Sequence, residues 1–354
     1  MSSAQPLRQI TLQVRDDEKA ILKDLSAVRC IGEFVWFGAD EGCALERLTL
    51  NHDTASDHQT FPVIDYLDLP NPEGEEIDIE GLAYADYYLW VVGSHSLKRK
   101  KPKPNASHKD TENQLGTITC EENRYLIGRI PLVNGQLFRE CPHPEDATQT
   151  LTAAQIKRKK TGNQLTHALR NDPHLGPYIT AKIPGKENGF DIEGIAVTGD
   201  RVFLGLRGPV LRGWAVLLEL TPKQKKKEKK PGILELKALE DGFCYRKHFL
   251  DLAGMGIRDL CWDGEDLLIL AGPTMDISGL ASIYRIPNAV QTLTNHACLK
   301  PDSILEILDN KDSDKAEGVS LLSSQSKGLM VVYDAPSAER LSHDGVKADV
   351  FTLP

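Results

Sequence analysis

Short apolar runs alternate with tight turns along this chain, and one arrangement recurs five times. Its clearest copy is an alternating strand at residues 191–196, a turn at 197–200 and an apolar strand at 201–209. The other copies pair residues 24–28 with 33–40, 78–83 with 89–95, 256–261 with 267–273, and 315–320 with 328–334. Each copy predicts a β-hairpin, and the near-regular repetition predicts a radial repeat architecture.

The fold class that follows is all-β, a β-propeller of about five blades with four strands in each blade. The predicted strands are 25–30, 34–38, 45–50 and 63–69; 79–83, 89–93, 125–131 and 179–183; 192–197, 202–206, 216–220 and 248–252; 257–262, 267–271, 282–286 and 304–308; and 318–322, 329–333 and 349–353. The fifth unit lacks a fourth strand of its own. The lone N-terminal strand at 7–14 is therefore expected to complete it and close the ring.

A single propeller domain over residues 1–354 is expected, with one insertion at 97–178 in the second blade. A sixth, degenerate blade would also fit inside that stretch. The run 98–103 is too charged and too rich in proline for a central strand. Residues 147–170 contain helix formers and predict a surface helix, whereas the lysine-rich run 223–230 predicts a solvated loop or a frayed strand extension.

Composition narrows the class of protein. No apolar run approaches the roughly 18 residues that span a bilayer, and residues 1–9 do not resemble a secretory signal, so no membrane association is expected. The seven cysteines are irregularly spaced and contain no Cys-x-x-Cys pair, which argues against a disulfide framework and favours a cytoplasmic location.

Charge is unevenly distributed. The net charge is −9, yet the three basic runs 98–103, 157–160 and 223–230 together carry +14. The rest of the chain therefore carries −23. Nucleic-acid binding is not expected, because an acidic body with basic loops differs from the basic face of a duplex-binding domain. The first run should overhang the mouth formed by the strand starts, whereas the other two should lie on the opposite face.

The repeat brings ionisable residues to one end of the predicted central channel. Residues two apart on a strand point the same way, so Asp78 with Glu80, and Asp191 with Glu193, should present both carboxylates to one side. In register, the channel position is occupied by Ser26, Glu80, Glu193, Arg258 and Glu317, and the second strands end at Asp40, His95, Arg207, Thr274 and Asp334.

Clustered carboxylates repel one another unless a cation compensates them. A hard metal held by oxygen ligands, Ca²⁺ above all, would serve, with Asp78, Glu80, Asp191, Glu193 and Glu317 as ligands. Such a metal could activate water, with His95 as a base and Arg207 and Arg258 as clamps for an anion. The structural alternative is that the arginines neutralise the ring and the acidic residues bond to local backbone N–H groups.

The Asp-Ile-Glu-Gly-Leu/Ile-Ala motif at 78–83 and 191–196, with Phe-Leu-Gly-Leu-Arg-Gly-Pro at 203–209, resembles an uncharacterised, largely bacterial propeller family, the domain of unknown function number thirty-six sixteen. The likeness extends from about residue 25 to 353. The family is itself distantly similar to esterase-like phytase propellers. It implies a carboxylate-lined, calcium-compatible mouth, with Glu80, Glu193 and Arg207 at the matching positions. Ser26 and Arg258 depart from the pattern and argue against a symmetric metal ring.

Two functions remain open from the sequence. The first is a divalent-metal-dependent hydrolase of an anionic ester, phosphoester or lactone at the mouth. The second is a non-catalytic propeller that serves as a platform for a protein or a small anionic ligand. The chain contains no Gly-x-Ser-x-Gly, no phosphate-binding glycine loop, no dinucleotide fingerprint and no His-Glu-x-x-His motif that would decide between them.

Overall fold

The structure is a computed structural model that describes residues 5–225, 232–239, 242–275, 279–307, 313–322 and 328–354. Strands dominate it, and the described helices are short. The prediction of an all-β fold is confirmed. Among the described residues, no helix has the length and hydropathy that crossing a bilayer requires.

The first part of the chain forms a four-stranded antiparallel unit that an additional strand precedes. Its elements are β1 (Arg8–Leu12), a 3-10 helix (Asp16–Lys23), β2 (Leu25–Ile31), β3 (Phe34–Ala39), β4 (Ala44–Asn51), β5 (Thr54–Pro62) and a 3-10 turn (Val63–Asp65). The fourth strand predicted at 63–69 is wrong. The outermost strand is β5, and Val63, Leu67 and Leu69 instead fill the core beside it.

The second part contains a hairpin followed by the insertion. Its elements are β6 (Ile79–Ala85), β7 (Tyr88–Gly93), β8 (Lys98–Arg99), α1 (His108–Leu115), β9 (Ile118–Thr119), a 3-10 turn (Glu122–Tyr125), β10 (Ile127–Val133), β11 (Gln136–Leu137), β12 (Glu140–His143), β13 (Asp146–Thr152), β14 (Ala154–Ile156), α2 (Gln164–Leu169) and α3 (Gly176–Thr180).

Three more hairpin units complete the chain. They comprise β15 (Asp191–Thr198), β16 (Arg201–Gly208), β17 (Trp214–Leu220), β18 (Pro222–Gln224), β19 (Ile233–Leu236) and β20 (Arg246–Asp251); β21 (Gly256–Asp263), β22 (Asp266–Gly272), β23 (Ala281–Ile286), α4 (Ala289–Thr292), β24 (Cys298–Leu299) and β25 (Asp302–Ile307); and β26 (Lys315–Leu321), β27 (Gly328–Asp334) and β28 (Val346–Thr352).

Two predictions in the insertion are wrong. Residues 147–170 do not form one helix, because threonine-rich β13 and the buried strand β14 occupy its first half. The helix α2 begins only where Asn163 caps it, with a reciprocal capping box to Thr166. The strand predicted at 179–183 is also absent, since Pro177 begins the short helix α3. The strand β14 takes its place beside β10.

The sheets follow from these pairings. One runs β2-β3-β4-β5-β1-β28-β27-β26, so β1 joins the first and last hairpin units, antiparallel to β28 and parallel to β5. The other large sheets are β18-β19-β14-β10-β7-β6, in which β11 also pairs with β10, β15-β16-β17-β20-β24 and β21-β22-β23-β25; β12 with β13 and β8 with β9 form two-stranded sheets. The strands β18 and β19 therefore leave the third unit and extend the sheet of the second.

The first strands of the five hairpin units contact one another in a ring, in the order β2, β6, β15, β21 and β26, with β26 returning to β2. Five hydrophobic clusters of described residues lie between successive units around this ring. The core is therefore divided into sectors that surround an axis lined by these inner strands.

Each inner strand has a β-bulge at the same repeat position. The register shifts across Ser26, Glu80, Glu193, Arg258 and Glu317, so each of these residues is unpaired with the second strand of its hairpin. A bulge redirects a side chain and increases the local twist. The five residues expected from the sequence to line the channel are thus the ones that the backbone sets apart.

Glycine follows the bulge in three units, at Gly81, Gly194 and Gly318. A Cβ on Gly194 would lie 2.9 Å from Leu260 Cγ and 3.1 Å from the Asp259 carbonyl carbon of the neighbouring inner strand. The absence of a side chain therefore lets adjacent inner strands approach closely at the level of the bulges.

Candidate functional site

The starts of the inner strands and the ends of their hairpin partners meet at one end of the ring. We call this end the acidic mouth and define it by its seven carboxylates: Asp40, Asp78, Glu80, Asp191, Glu193, Glu317 and Asp334. Electrostatic interactions link all seven: Asp78, Glu317 and Asp334 act on Asp40, whereas Asp40, Asp78, Asp191 and Glu193 act on Glu80. The structure therefore brings together all five of the predicted metal-ligating residues.

Two arginines neutralise one side of the mouth. Arg207 Nη1 donates to Glu193 Oε1 at 2.7 Å, and Arg258 Nη1 donates to both carboxylate oxygens of Glu317. Arg258 Nη1 also lies 3.3 Å from Glu193 Oε2, so Glu193 is held between the two guanidinium groups. All four side chains are buried.

The remaining bonds of these arginines are also internal. Arg207 Nε donates to the Thr274 carbonyl at 3.0 Å, and Arg258 Nη2 donates to the Pro273 carbonyl at 2.9 Å. The loop after β22 therefore fixes both side chains. Both arginines lie at the mouth, as their predicted role as anion clamps requires. Their positive charges, however, face carboxylates of the protein itself.

The opposite side of the mouth has a different balance. Asp40, Asp78 and Glu80 each offer a carboxylate oxygen, and these oxygens all lie within 4.8 Å of one another. We call these three residues the carboxylate trio. Within the described part of the chain, no side-chain hydrogen bond or ion pair is formed by Asp40 or Glu80, although Lys186 acts electrostatically on Asp40 and Arg124 on Glu80. Ser26 occupies the bulge position of the first hairpin unit, which neighbours the unit of Glu80. Its hydroxyl donates to the Ile79 carbonyl and supplies no charge.

The third member, Asp78, has a partner that the repeat pattern did not reveal. Arg124 Nη1 donates to Asp78 Oδ2 and to the hydroxyls of Ser94 and Ser96, at 3.2 and 3.1 Å. Arg124 Nε donates to Glu121 at 2.6 Å, and the side chain is only 2% exposed. Because Arg124 lies in the insertion, outside the hairpin repeat, no spacing signal in the sequence could have placed it here.

Burial and mutual repulsion shape the protonation of the mouth. Burial raises the pKa of Asp40 and of Glu80 well above the ordinary range, and the neighbouring carboxylates raise it further. Burial and Glu193 do the same to the pKa of Asp191. Burial raises the pKa of Glu317 to about 7 although Arg258 opposes the shift. A bound cation would favour the ionised forms and relieve this repulsion.

Asp191 retains an unsatisfied oxygen beside the trio. Its side chain is 3% exposed, and its Oδ1 has no hydrogen-bond partner among the described residues. Arg207 Nη1 lies 3.9 Å from Asp191 Oδ2. An ionised carboxylate with one bare, buried oxygen is a ready acceptor for a proton or a cation.

His95 does not present a free nitrogen to the mouth. Its Nδ1 lies 2.7 Å from the Gly93 carbonyl, and its Nε2 lies 2.8 Å from Asn163 Nδ2. Because the carbonyl can only accept and the amide nitrogen can only donate, Nδ1 carries the proton and Nε2 accepts. Burial lowers the pKa of His95 to about 4. The geometry assigns His95 to holding the insertion against β7 and leaves it without a free site for base catalysis.

The other end of the channel was not foreseen as a site. Arg29 lies across the axis and donates to the carbonyls of Leu82, Val319 and Leu260, at 2.9, 3.2 and 3.0 Å, and its Nη2 lies 3.5 Å from Asp259 Oδ1. Beyond it lies a cavity of about 510 Å³ that residues of all five inner strands line. The mouth and this cavity are thus separate chambers.

Comparison with solved structures gives distant likenesses. Glutaminyl cyclase of Myxococcus xanthus aligns over 99% of this chain and 97% of its own, at 9% identity and a TM-score of 0.44. The PQQ-bound aldose sugar dehydrogenase of Streptomyces coelicolor aligns over 99% and 98%, at 9% identity and 0.42. The Cps50 (Swd1) β-propeller domain of Myceliophteria thermophila aligns over 98% and 100%, at 9% identity and 0.37. These values are too low to bear on activity.

Sequence comparison is more specific. No curated protein matches the chain. The family described as "Protein of unknown function (DUF3616)" matches residues 24–349, which include every inner strand and every residue of the acidic mouth. The chain therefore belongs to the DUF3616 family of proteins of unknown function.

Proposed function

We propose that this protein is a five-bladed propeller, closed by β1, whose acidic mouth binds a divalent cation and uses it to hydrolyse an anionic ester, phosphoester or lactone. The observation that carries the proposal is the carboxylate trio, Asp40, Asp78 and Glu80, with ligand oxygens within 4.8 Å of one another. The ring of inner strands and the pairing of β1 with β28 support the fold.

The charge balance supports a cation. The seven carboxylates of the mouth face three buried arginines, and two of those arginines are committed to Glu193 and Glu317. Of the trio, Arg124 is hydrogen-bonded only to Asp78, although it also acts electrostatically on Glu80, as Lys186 does on Asp40. Glu80 and half-buried Asp40 are thus without a direct ion pair among the described residues, a costly arrangement for ionised groups unless they are protonated or bind a cation.

The donor set favours Ca²⁺. The trio offers carboxylate oxygens alone, with no thiolate or imidazole among them, and hard cations take oxygen ligands. Ca²⁺ accepts irregular coordination with six to eight oxygens, whereas Mg²⁺ demands a near-ideal octahedron. An irregular trio from the ends of two neighbouring hairpins suits the more tolerant ion.

The same arrangement supports hydrolysis. When bound, a cation at the trio would lower the pKa of a water molecule and offset the negative charge of the substrate. Asp191 would accept the proton of that water, because its buried Oδ1 has no partner among the described residues and burial raises its pKa well above the ordinary range. Asp191 takes the role first considered for His95.

The internal pairing of Arg207 and Arg258 favours a second candidate. Both guanidinium groups are bonded to protein carboxylates and carbonyls, so their charge is already offset before an anionic substrate arrives. A cation at the trio would then complete a rigid, non-catalytic propeller that serves as a platform for a protein or ligand.

We also propose a cytoplasmic location, which the seven free cysteines support, since a reducing compartment keeps thiols unpaired.

The test is thermal unfolding of the metal-stripped protein with and without millimolar Ca²⁺. A ligand at about 100 times its dissociation constant stabilises a fold by about 2.7 kcal/mol. We expect this stabilisation in the wild type and its loss in Asp40→Asn and Glu80→Gln. Glu41→Gln is the matched control, because it removes one negative charge from an exposed neighbour of Asp40 that is outside the trio.

Equal calcium shifts in Asp40→Asn and Glu41→Gln would sink the cation site. If the site holds, release of p-nitrophenol from its acetyl and phosphate esters separates the two candidates. Calcium-dependent hydrolysis that Asp191→Asn abolishes supports the enzyme. Calcium binding without turnover of either ester, or of simple lactones, supports the platform.

A further inference from the structure

Two basic runs that are far apart in the sequence meet in the structure. The run 157–160 follows β14. Of the run 223–230, Lys223 lies in β18 and Lys225 directly follows it, whereas residues 226–230 lie outside the described residues. The strand β19 joins them, since it pairs in parallel with β14 and antiparallel with β18. Lys157 Nζ and Lys225 Nζ both lie 2.9 Å from Glu235 Oε1 on β19. One carboxylate thus links the two runs.

We call the resulting surface the basic patch. Its described members are Lys157, Arg158, Lys159, Lys160, Arg170, Lys223 and Lys225. Arg170 belongs to it because its Nη2 donates to Thr161 Oγ1 at 2.9 Å, at the end of the first run. Among the described residues, the carboxylates in contact with this region are Glu235 and Glu122, whose Oε2 accepts from the Gly162 N–H at 3.1 Å. The seven described cations of the patch therefore outnumber its described carboxylates by five, on a chain whose net charge is −9.

The local backbone is well defined on both sides of the patch. Lys159 N–H donates to the Gly162 carbonyl at 3.0 Å, and Arg158 forms a bridge with Asn163, the cap of α2. In β18, Lys223 is in register with Glu235. The cations are thus presented by paired strands and a closed turn, while the side chains of Arg158, Lys159, Lys160 and Lys223 are exposed.

We propose that the basic patch binds a flexible, phosphate-dense polyanion, a linear polyphosphate chain, through charge alone. The composition of the patch favours this ligand over other polyanions. None of the exposed large apolar or aromatic side chains of the described residues lies in 157–170 or 222–235. Stacking platforms for unpaired bases and apolar anchors for a bilayer are therefore missing from both segments.

The rest of the chain adds a second argument. Outside the three basic runs the chain is strongly acidic, so a long, stiff duplex that extended beyond the patch would be repelled. A short flexible chain can remain on the patch. The purely structural alternative is that lysines on the edge strand β18 prevent pairing with other sheets.

The test is fluorescence anisotropy of labelled inorganic polyphosphate with the full chain, at low salt and at about 0.15 M salt. We expect binding that weakens steeply with salt. Lys159→Glu with Lys160→Glu, and separately Lys223→Glu with Lys225→Glu, should each lower the affinity about tenfold or more, since each reverses two charges of one surface. The matched control, Lys101→Glu with Lys103→Glu, makes the same charge change in the run at 98–103.

One further variant acts in the opposite direction. Glu235→Gln removes the carboxylate that the two runs share, so it should strengthen polyphosphate binding. Equal losses in the control pair and in the patch pairs would overturn the proposal, as would an unchanged affinity in either patch pair. Tighter binding of a single-stranded oligonucleotide or of phosphatidylserine vesicles than of polyphosphate would overturn the assignment of the ligand.

Discussion

Single residues decide how the acidic mouth differs from a symmetric ring. The bulge position holds glutamate in three units, but Arg258 occupies it in the fourth and Ser26 in the first. Arg258 neutralises the carboxylates of its neighbours on both sides, Glu193 and Glu317. Ser26 contributes no charge, so Glu80 has no cationic neighbour at the bulge position of the first unit and lies beside the carboxylates of Asp40 and Asp78. The two departures visible in the sequence thus separate an arginine-paired side from a trio in which only Asp78 has an ion pair.

His95 shows why a residue type alone does not assign a role. The sequence predicted that His95 lies at the end of a strand beside the mouth, and that strand, β7, does end at Gly93. Its Nδ1 bonds to the Gly93 carbonyl of β7, and its bond to Asn163 depends on the insertion, which the repeat could not place. A histidine with both nitrogens engaged and a lowered pKa is a structural group.

We therefore expect His95 to be a neutral imidazole with its proton on Nδ1 at pH 6, because its pKa is about 4. Nitrogen-15 NMR of the imidazole rings measures this directly, with the exposed ring of His343 as internal reference. The unfolded chain binds the additional proton between pH 6.5 and 4, so this group lowers the free energy of unfolding as pH falls through that window. A protonated His95 ring at pH 6 would contradict the structure.

At the scale of elements, the sequence predicted the inner hairpins well and the outer strands poorly. The second strands of the hairpins are buried on both faces, so their apolar runs are long and continuous, as in 202–206 and 267–271. The outer strand β5 reads Thr-Ala-Ser-Asp-His-Gln-Thr-Phe-Pro and is mostly half-buried or exposed, which leaves little hydrophobic pattern. The strand β14 has only three residues, and its partner β19 comes from a later part of the chain.

The bulges, too, were predictable from the sequence only in part. The spacing of the Asp-x-Glu-Gly motif correctly indicated which residue faces the axis. It could not show that the residue is a bulge, since a bulge is a property of two paired strands. The convergence of the basic runs was likewise out of reach, because the sequence placed both after third strands and the structure joins them through β19.

Strand β1 offers a test of how the ring is closed. Leu12 is fully buried where β1 pairs with β28 and β5, whereas Leu7, just before the strand, is 63% exposed. We expect Leu12→Ala to lower the free energy of unfolding by about 2–5 kcal/mol, and Leu7→Ala to change it by about 0.5 kcal/mol or less. Urea titration followed by tryptophan fluorescence compares the two identical substitutions. Similar small effects would show that β1 does not contribute to closure.

At the scale of the whole molecule, charge is sorted by region. The mouth concentrates buried carboxylates, Arg29 closes the channel below them, and the basic patch lies on the outer part of the second sheet. The proposals for the mouth and for the patch therefore depend on different residues. Failure of one leaves the other intact.

The mouth should make stability depend on pH and calcium together. The pKa of Glu317 is raised to about 7, and burial and repulsion hold the pKa values of Asp40 and Glu80 well above their ordinary range. Without a cation, the folded protein keeps protons that the unfolded chain has already released. Its free energy of unfolding should therefore fall as pH rises from about 4.5 through 7, by up to about 1.4 kcal/mol per pH unit for each proton.

Calcium competes with those protons, so its stabilising effect should grow as pH rises. Melting temperatures at pH 6.5 and at about pH 8, each with chelator and with Ca²⁺, measure this; His95 is neutral in the folded protein at both values. We expect a larger calcium shift at the higher pH in the wild type and in Glu41→Gln, and none in Glu80→Gln. An equal or smaller shift at the higher pH would contradict a calcium site whose carboxylates have raised pKa values.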